Sequence, residues 1–156
     1  MDARDRTAEP ADVSGSLPDS VAELAPQFAD APGGTLMAKI GLEFLTVEPD
    51  RVVARIPVEG NTQPYGLLHG GATAALLETI GSFGSAMAAG PDRLVVGIEL
   101  NVNHIRGVRE GHVTATGVPL HMGRTTAVWD MRVHDDEGRL VAVGRLTLAI
   151  RETSTP

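Results

Sequence analysis

Residues 61–87 read NTQPYGLLHGGATAALLETIGSFGSAM, and this stretch decides the fold. From Gly70 onward nearly every residue is apolar or small, over a length typical of a helix rather than a strand. Gly90 and Pro91 follow, residues that commonly stand just beyond the end of a helix. The sequence therefore predicts a helix over about residues 70–88 that is apolar nearly all round and buried nearly all round.

The segments on either side of this helix have the patterns of strands. Two extended segments precede it, from about Leu42 and over residues 51–58, and four follow it, over residues 93–105, 111–123, 124–135 and 139–152. Residues 135–138, DDEG, predict a hairpin turn between the last two. With one helix and six strands, only a curved antiparallel sheet can cover the helix, so the predicted class is α+β.

Within the first strand after the helix, alternate residues are apolar, which predicts that they share one buried face. They are Leu94, Val96, Ile98, Leu100 and Val102. In the third strand after the helix, a second set of alternate residues is likewise predicted to face one side. That set is Ala127, Trp129, Met131 and Val133.

The predicted helix carries a single carboxylate, Glu78. A stripe of large residues is predicted to face the sheet: Leu76, Ile80, Phe83 and Met87. Glu78 lies about 200° from Leu76 around the helix, among small residues that would let a ligand or a second subunit approach. They are Ala74, Ala75, Gly81, Ser82 and Ser85. Ser82 is the nearest hydroxyl that could orient the carboxylate.

Two interpretations of Glu78 remain open from its position alone. It is either the solvent-facing residue of a buried helix or a covered functional carboxylate. In the second case desolvation raises its pKa, which suits a base or a nucleophile near neutral pH.

Gly70 and Gly71 lie at the helix start, where backbone N–H groups lack intrahelical partners and can polarise a carbonyl oxygen. Glu78 is about 10–12 Å further along the axis, too far to act on the same carbon within one chain. We therefore expect the donor and the carboxylate to meet across a dimer interface. The alternative is that HGG is only a tight entry into the helix.

Composition and motifs exclude several classes of function. The chain has 156 residues and no cysteine, which excludes disulfides, thiolate zinc sites and a cysteine nucleophile. The remaining histidines have no metal-ligand spacing, and no metal or cofactor is predicted. They are His104, His112, His121 and His134. The chain also lacks a G-x-S-x-G elbow and a phosphate-binding loop.

The net charge of −7 is uneven, because residues 1–32 carry seven acidic and two basic residues. We predict a disordered acidic tail over residues 1–34 and a domain over residues 35–152. No basic stripe predicts nucleic-acid binding, and no apolar run is long enough to span a membrane. Without the apolar core of a signal peptide, the expected compartment is the cytoplasm.

Four motifs resemble hotdog-fold acyl-CoA thioesterases of the PaaI-like family over about residues 36–151. They are NTQPYGLLHGG, ALLETIGS, VGIELNVNHIR and GVPLHMGRTTAVWDMRV. The pattern is similar to that of 1,4-dihydroxy-2-naphthoyl-CoA thioesterases and enterobactin-pathway proofreading thioesterases. Menaquinone-type members carry Ser-Arg-His after the loop glycine, whereas this chain carries Arg124-Thr125-Thr126, as in the broader family.

The resemblance implies a hotdog fold, with a sheet wrapped around one central helix, and a role for each matching residue. Glu78 matches the catalytic nucleophile or base, and Gly71 matches the glycine whose N–H polarises the thioester carbonyl. Gln63 and His69 match residues that orient the carbonyl and the water, and Ser82 helps to place the carboxylate.

The residues implied to hold the substrate form a larger set. Those on the CoA arm are His104, Arg106, Gly123, Arg124 and Thr125, and those nearer the acyl group are Gly70, Leu68 and Phe83. The implied assembly is a homotetramer, a dimer of double-hotdog dimers with the site between subunits.

The expected activity is hydrolysis of an acyl-CoA thioester. Leu67, Leu68, Phe83 and Met87 as pocket lining suggest an aryl or medium-chain acyl group. The alternative is a non-catalytic acyl-CoA-binding module. A hotdog dehydratase is disfavoured, because its His-Asp pair is absent near the helix start.

Overall fold

The computed structural model describes residues 34–152. In chain order the elements are helix α1 (Leu36–Lys39), strands β1 (Glu43–Glu48) and β2 (Arg51–Pro57), helix α2 (Gly70–Ala89), and strands β3 (Arg93–His104), β4 (His112–Met122), β5 (Thr126–Asp135) and β6 (Leu140–Glu152). One antiparallel sheet has the order β1-β2-β4-β5-β6-β3, with α2 packed on one face. This confirms the predicted α+β hotdog architecture. The tail prediction falls almost wholly outside the described residues and stays a prediction.

Helix α2 is the predicted central helix, and its ends are set by local chemistry. His69 caps the N-terminus, and Gly90 ends the helix with a φ of +86°, a conformation that favours glycine. Leu76 and Ile80 are fully buried, Phe83 is nearly so, and Met87 is half-buried. The prediction that this stripe faces the core is confirmed.

The small residues of α2 do not all lie opposite the core. A Cβ on Gly81 would stand 2.6 Å from Cδ2 of Leu146, and a Cβ on Gly84 would stand 2.5 Å from Cζ2 of Trp129. The buried hydroxyl of Ser85 accepts a hydrogen bond of 2.8 Å from Nε1 of Trp129. The prediction that Gly81 and Ser85 share a face with Glu78, away from the sheet, is therefore wrong. Gly81 leaves room for Leu146 of β6, and Ser85 bonds to Trp129, the largest side chain of β5.

The predicted single buried face of β3 is also wrong. Gly97 pairs with Leu148 and Glu99 pairs with Thr147, so Ile98 is an extra residue in a β-bulge. A bulge reverses the alternation of side chains along the rest of the strand. Leu94, Val96 and Ile98 are 53%, 45% and 62% exposed, whereas Leu100 and Val102, beyond the bulge, pack against the core. Since β3 is an edge strand, these exposed apolar residues lie along a free edge.

The predicted hairpin turn between β5 and β6 is confirmed. Gly138 has a φ of +75°, and Oδ1 of Asp135 accepts hydrogen bonds from the N–H groups of Glu137 (3.1 Å) and Arg139 (2.9 Å). Burial of Asp135 opposes its ionisation. The N–H and guanidinium of Arg139, with the N–H of Glu137, nevertheless hold the pKa of this carboxyl below its ordinary range. The ion pair between Asp135 and Arg139 therefore stabilises the turn.

The predicted buried side of β5 is also confirmed. Its four residues are all fully buried: Ala127, Trp129, Met131 and Val133.

Candidate active site

The loop before α2 is pinned to the sheet by the side chain of Asn61. Its amide donates to the carbonyls of Ile40 (2.8 Å) and Pro57 (2.9 Å). The backbone carbonyl of Asn61 accepts a hydrogen bond from the N–H of His69 at 2.8 Å. The point at which α2 begins is therefore fixed by three hydrogen bonds rather than by the helix alone.

The first turn of α2 already uses one of its free donors. The N–H of Gly71 donates to Nδ1 of His69 at 2.8 Å, so the imidazole is the helix cap. A Cβ on Gly71 would stand 2.9 Å from the same nitrogen. For the Gly71 N–H to polarise a substrate carbonyl, the exposed imidazole of His69 has to turn aside. The two residues therefore act as a pair, and their predicted roles stay predictions.

A cleft of about 340 Å³ opens beside this turn. Five residues predicted for the site line it: Gln63, Leu68, Gly70, His104 and Arg106. Leu67, expected in the pocket wall, also lines it. The structure thus brings together residues that are up to 43 positions apart in the sequence.

His104 and Arg106 reach the cleft because β3 ends there. A Cβ on Gly70 would stand 2.8 Å from Nε2 of His104, so the absence of a side chain at Gly70 lets the imidazole lie against the helix start. After the strand, the N–H groups of Ile105 (2.8 Å) and Arg106 (3.1 Å) both donate to the carbonyl of Val141. The end of β3 is therefore held to β6 at the cleft.

Sequence reasoning missed four residues of this cleft: Thr73, Ile105, Gly107 and Val141. Thr73 is one turn beyond His69 on α2, and that spacing could have identified it. It is almost fully buried. Val141 has no comparable signal, because its place depends on the pairing of β6 with β3.

Glu78 lies away from this cleft, against the edge strand. Its carboxylate packs on Gly97 of β3: a Cβ there would stand 2.9 Å from Cδ and 3.3 Å from Oε2, and nearer still to Oε1. The side chain is half-buried, and this desolvation raises its pKa above the ordinary glutamate range. Of the two interpretations from sequence, a partly covered carboxylate agrees with the structure better than a freely solvated one.

The helix keeps Glu78 apart from the donor at its start. Gly71 and Glu78 are seven residues apart on α2, about 10 Å along the axis. Ser82 follows one turn after Glu78 and is half-buried. Within residues 34–152 no hydrogen bond joins the Ser82 hydroxyl to the carboxylate, so its predicted role stays a prediction.

The loop between β4 and β5 carries Gly123, Arg124 and Thr125 and lies at the other end of the sheet from the cleft. The Ile150 N–H donates to the Thr125 carbonyl at 2.9 Å, whereas His104 pairs with Ala142. Eight residues of β6 separate these points, about 26 Å. Within one chain this loop and the cleft are therefore two separate surfaces.

Phe83 does not reach the cleft. Its ring packs against that of Phe44 at a tilt of 41°, with centroids 4.4 Å apart, and both residues are buried. Met87, which was also expected to line the pocket, is half-buried against the core. The predicted contact of Phe83 with substrate stays a prediction, to which a single chain gives no support.

Neither a metal centre nor a membrane span stands out in the described part of the chain. Across residues 34–152, no three His, Asp or Glu side chains are grouped so that they could hold a metal ion. No helix in that range has the length and hydropathy needed to cross a bilayer.

The chain is similar in sequence to known thioesterases. The model of the "Thioesterase superfamily" matches residues 65–142. The 1,4-dihydroxy-2-naphthoyl-CoA hydrolase of Escherichia coli is 41% identical over 118 residues, which are 75% of this chain and 87% of that protein. The proofreading thioesterase EntH of Cronobacter turicensis is 40% identical over 118 residues, 75% of this chain and 86% of that protein.

A solved structure from Staphylococcus aureus superposes with a TM-score of 0.74 at 38% identity, covering 76% of this chain and all of the other. A glutamate was replaced by alanine in that crystal, and a glutamine was replaced in a second crystal of the same protein. The two replaced residues are fifteen positions apart. Gln63 and Glu78 have the same separation in this chain.

Proposed function

Because the chain belongs to the thioesterase superfamily and is a thioester hydrolase, we propose that its substrate is an acyl thioester of coenzyme A. The products are the free acid and free coenzyme A. The observation that carries the proposal is Glu78, a half-buried carboxylate on a helix without other charges, packed at the free edge of the sheet. A carboxylate with a raised pKa suits nucleophilic or basic catalysis near neutral pH.

Two chemical routes use the same residues. In one, the Glu78 carboxylate attacks the carbonyl carbon, the C–S bond breaks, the thiolate takes a proton, and water then hydrolyses the mixed anhydride. In the other, Glu78 takes a proton from water as the water oxygen attacks the carbonyl carbon. The tetrahedral intermediate then collapses, the C–S bond breaks, and the departing thiolate takes the proton from Glu78. Both routes place negative charge on the carbonyl oxygen, which the Gly71 N–H stabilises at the positive end of the α2 dipole. Gln63 and His69 orient the carbonyl and the water, and Ser82 helps to place the carboxylate.

Coenzyme A as the carrier is supported by charge and by the hydrolase from Escherichia coli. Arg106 lines the cleft, and Arg124 is exposed on the β4–β5 loop. Guanidinium groups pair with phosphate in a fork geometry, and the nucleotide end of coenzyme A is anionic. The pantetheine arm would then run past His104 in the cleft. Gly123 and Thr125 would contact coenzyme A from the β4–β5 loop.

The acyl group is proposed to be aryl or medium-chain. Leu67, Leu68, Ile105 and Val141 supply an apolar part of the cleft wall, and a cleft of about 340 Å³ admits a group of that size.

The complete site is proposed to form between two copies of the chain. Glu78 and the donors at the start of α2 lie on different surfaces of one chain, and the β4–β5 loop is on the side of Glu78. Antiparallel pairing of two β3 edges about a twofold axis reverses one strand. The half of β3 with Gly97 in one copy then lies beside the half with His104 in the other.

The free edge of β3 supports this pairing. It is 12 residues long, with exposed apolar side chains at Leu94, Val96 and Ile98. Long, apolar, unpaired edges favour association with another strand. Two such dimers would form the proposed tetramer.

A substrate panel tests the reaction and the acyl class. Purified protein is mixed with benzoyl-, phenylacetyl-, octanoyl- and acetyl-CoA, and release of free thiol is followed. We expect kcat/KM for the aryl or octanoyl esters to exceed that for acetyl-CoA by about 10²-fold, which corresponds to burying roughly three more methylenes in the cleft at about 0.8 kcal/mol each. Faster turnover of acetyl-CoA would contradict the acyl class, and binding without turnover of any ester would identify a binding module instead.

Mixing two inactive variants tests the shared site. Glu78→Gln removes the carboxylate, and Gly71→Pro removes the N–H at a first-turn position where proline is tolerated. In randomly mixed dimers half are hybrids, and each hybrid carries one site with both groups intact. We expect co-refolded protein to recover about a quarter of wild-type kcat, whereas each variant alone stays inactive. Absence of recovery, with hybrid dimers shown by mass spectrometry, would place both groups in one chain.

A further inference from the structure

The Glu78 carboxylate packs against Gly97, and the backbone conformation at Gly97 does not itself require a glycine. The three atoms nearest to a Cβ built at Gly97 all belong to Glu78, with Cδ at 2.9 Å and Oε2 at 3.3 Å. Seven described glycines have a positive φ, and Gly97 is not among them. The backbone conformation of Gly97 is therefore compatible with alanine, and the only obstacle to an alanine Cβ is the Glu78 carboxylate.

The bulge beside Gly97 contributes to the same arrangement. Ile98 is the extra residue, so Gly97 is the last residue to face α2 before the alternation reverses. Bulges often re-aim the side chains next to active sites. Here the inward-facing residues that precede the bulge end at a glycine, in contact with the one charged residue of the helix.

From this packing we propose that Gly97 is a positioning residue, which holds the Glu78 carboxylate at the edge of β3 by leaving the space that a Cβ would fill. The inference rests on the proposed catalytic role of Glu78. It adds that the orientation of the carboxylate depends on the edge strand as well as on the helix that carries it. With a Cβ at residue 97, the carboxylate has to move away from the strand.

Gly97 differs from the other crowded glycines in what it would displace. A Cβ on Gly84 would meet the buried ring of Trp129, and a Cβ on Gly144 would meet Cδ1 of the buried Leu77 at 2.6 Å. Those contacts cannot yield without disturbing the core. At Gly97 the obstacle is the end of one flexible, half-exposed side chain, so the fold yields easily and only the carboxylate is displaced. Activity and stability should therefore respond separately.

The test is Gly97→Ala, with Gly117→Ala as the matched control. Gly117 is also a sheet glycine without a positive φ, but its Cβ would stand 3.2 Å from Cδ1 of Ile80 in the core. We expect Gly97→Ala to lower kcat by about 10²-fold, since a shift of about 1 Å can cost that much, with KM within about threefold. Its Tm should be no lower than that of wild type, and its elution volume should match. Gly117→Ala should lower Tm and keep kcat.

A shorter acid in both backgrounds sharpens the test. The substitution Glu78→Asp withdraws the carboxylate by one methylene and makes room for a Cβ at residue 97. We expect Glu78→Asp to cost about tenfold less in kcat when residue 97 is alanine than when it is glycine. The acidic limb of the pH–rate profile of Gly97→Ala should also move to lower pH, because the displaced carboxylate is better solvated.

Three results would overturn the inference. The first is wild-type kcat in Gly97→Ala. The second is a loss of kcat together with a loss of Tm as large as that of Gly117→Ala, and the third is a changed elution volume with kcat restored at high protein concentration. The first assigns Gly97 no role, the second a packing role, and the third an assembly role. Failure of the proposed function is distinct, because Glu78→Gln would then leave kcat unchanged whatever stands at residue 97.

Discussion

Replacing Glu78 by glutamine is expected to lower kcat for thioester hydrolysis by about 10³-fold, within the range found when a general base or nucleophile is removed. Glutamine keeps the size of the side chain but can neither attack the carbonyl carbon nor take a proton from water. KM should change little, because glutamine has the size of glutamate and leaves the residues that line the cleft unchanged. Thiol release under saturating substrate measures the change.

The control is Glu48→Gln, an exposed carboxylate at the end of β1, on the opposite edge of the sheet. It should keep wild-type kcat. Equal rates for wild type and Glu78→Gln would show that this carboxylate is a surface charge and would remove the basis of the proposed mechanism.

The raised pKa of Glu78 predicts two pH effects with a definite sign. Catalysis needs the ionised form, so the rate should fall toward acid with an apparent pKa above the ordinary glutamate range. For stability, burial disfavours the charged form in the folded chain. The carboxyl therefore favours folding below its unfolded pKa, and this contribution is lost as pH rises through the folded pKa. Glu78→Gln should accordingly have the higher Tm at neutral pH, with no such advantage at low pH.

Replacing Trp129 by alanine is expected to have the largest effect on stability, a loss of about 3–5 kcal/mol in the free energy of unfolding. The indole is fully buried between α2 and the sheet, in space left by Gly84 and next to Gly81. Its removal creates a cavity that flanking glycines cannot fill. It also leaves the buried hydroxyl of Ser85 without its donor.

Urea denaturation followed by circular dichroism measures this loss. Trp129→Phe should cost less, because it keeps a ring and forfeits mainly the hydrogen bond to Ser85. Val128→Ala, one residue earlier on the other face of β5, should cost under about 1 kcal/mol, since Val128 is only half-buried. Equal costs at Trp129 and Val128 would refute the assignment of Trp129 to the centre of the core.

The elements of this fold were predictable because their signals are local. The length and composition of residues 70–88, with Gly90 beyond them, predict α2 to within a residue of its observed end. The sequence DDEG predicts the β5–β6 turn, which the structure confirms with Gly138 at positive φ. The order of elements and the four motifs were enough to predict the family, which the matching superfamily model confirms.

The errors arose where a distant residue decides which way a side chain faces. Gly81 and Ser85 resemble an open face of the helix until Trp129, 44 residues after Ser85, takes the space beside them. The regular alternation of β3 conceals a bulge, because bulges depend on register with a partner strand and here that strand lies at the end of the chain. Likewise, nothing near Val141 in the sequence indicates that it lines the cleft.

The sequence alone determined that a helix with one acid starts at His-Gly-Gly and is covered by an antiparallel sheet, since helical and strand periods and caps depend on neighbours a few residues away. Only the tertiary structure decided that His69 accepts a hydrogen bond from the Gly71 N–H and that Glu78 packs against Gly97. It also decided that the cleft and the carboxylate lie on separate surfaces. These are contacts in space, set by the pairing and curvature of strands far apart in the chain. No local pattern of residues encodes such distances.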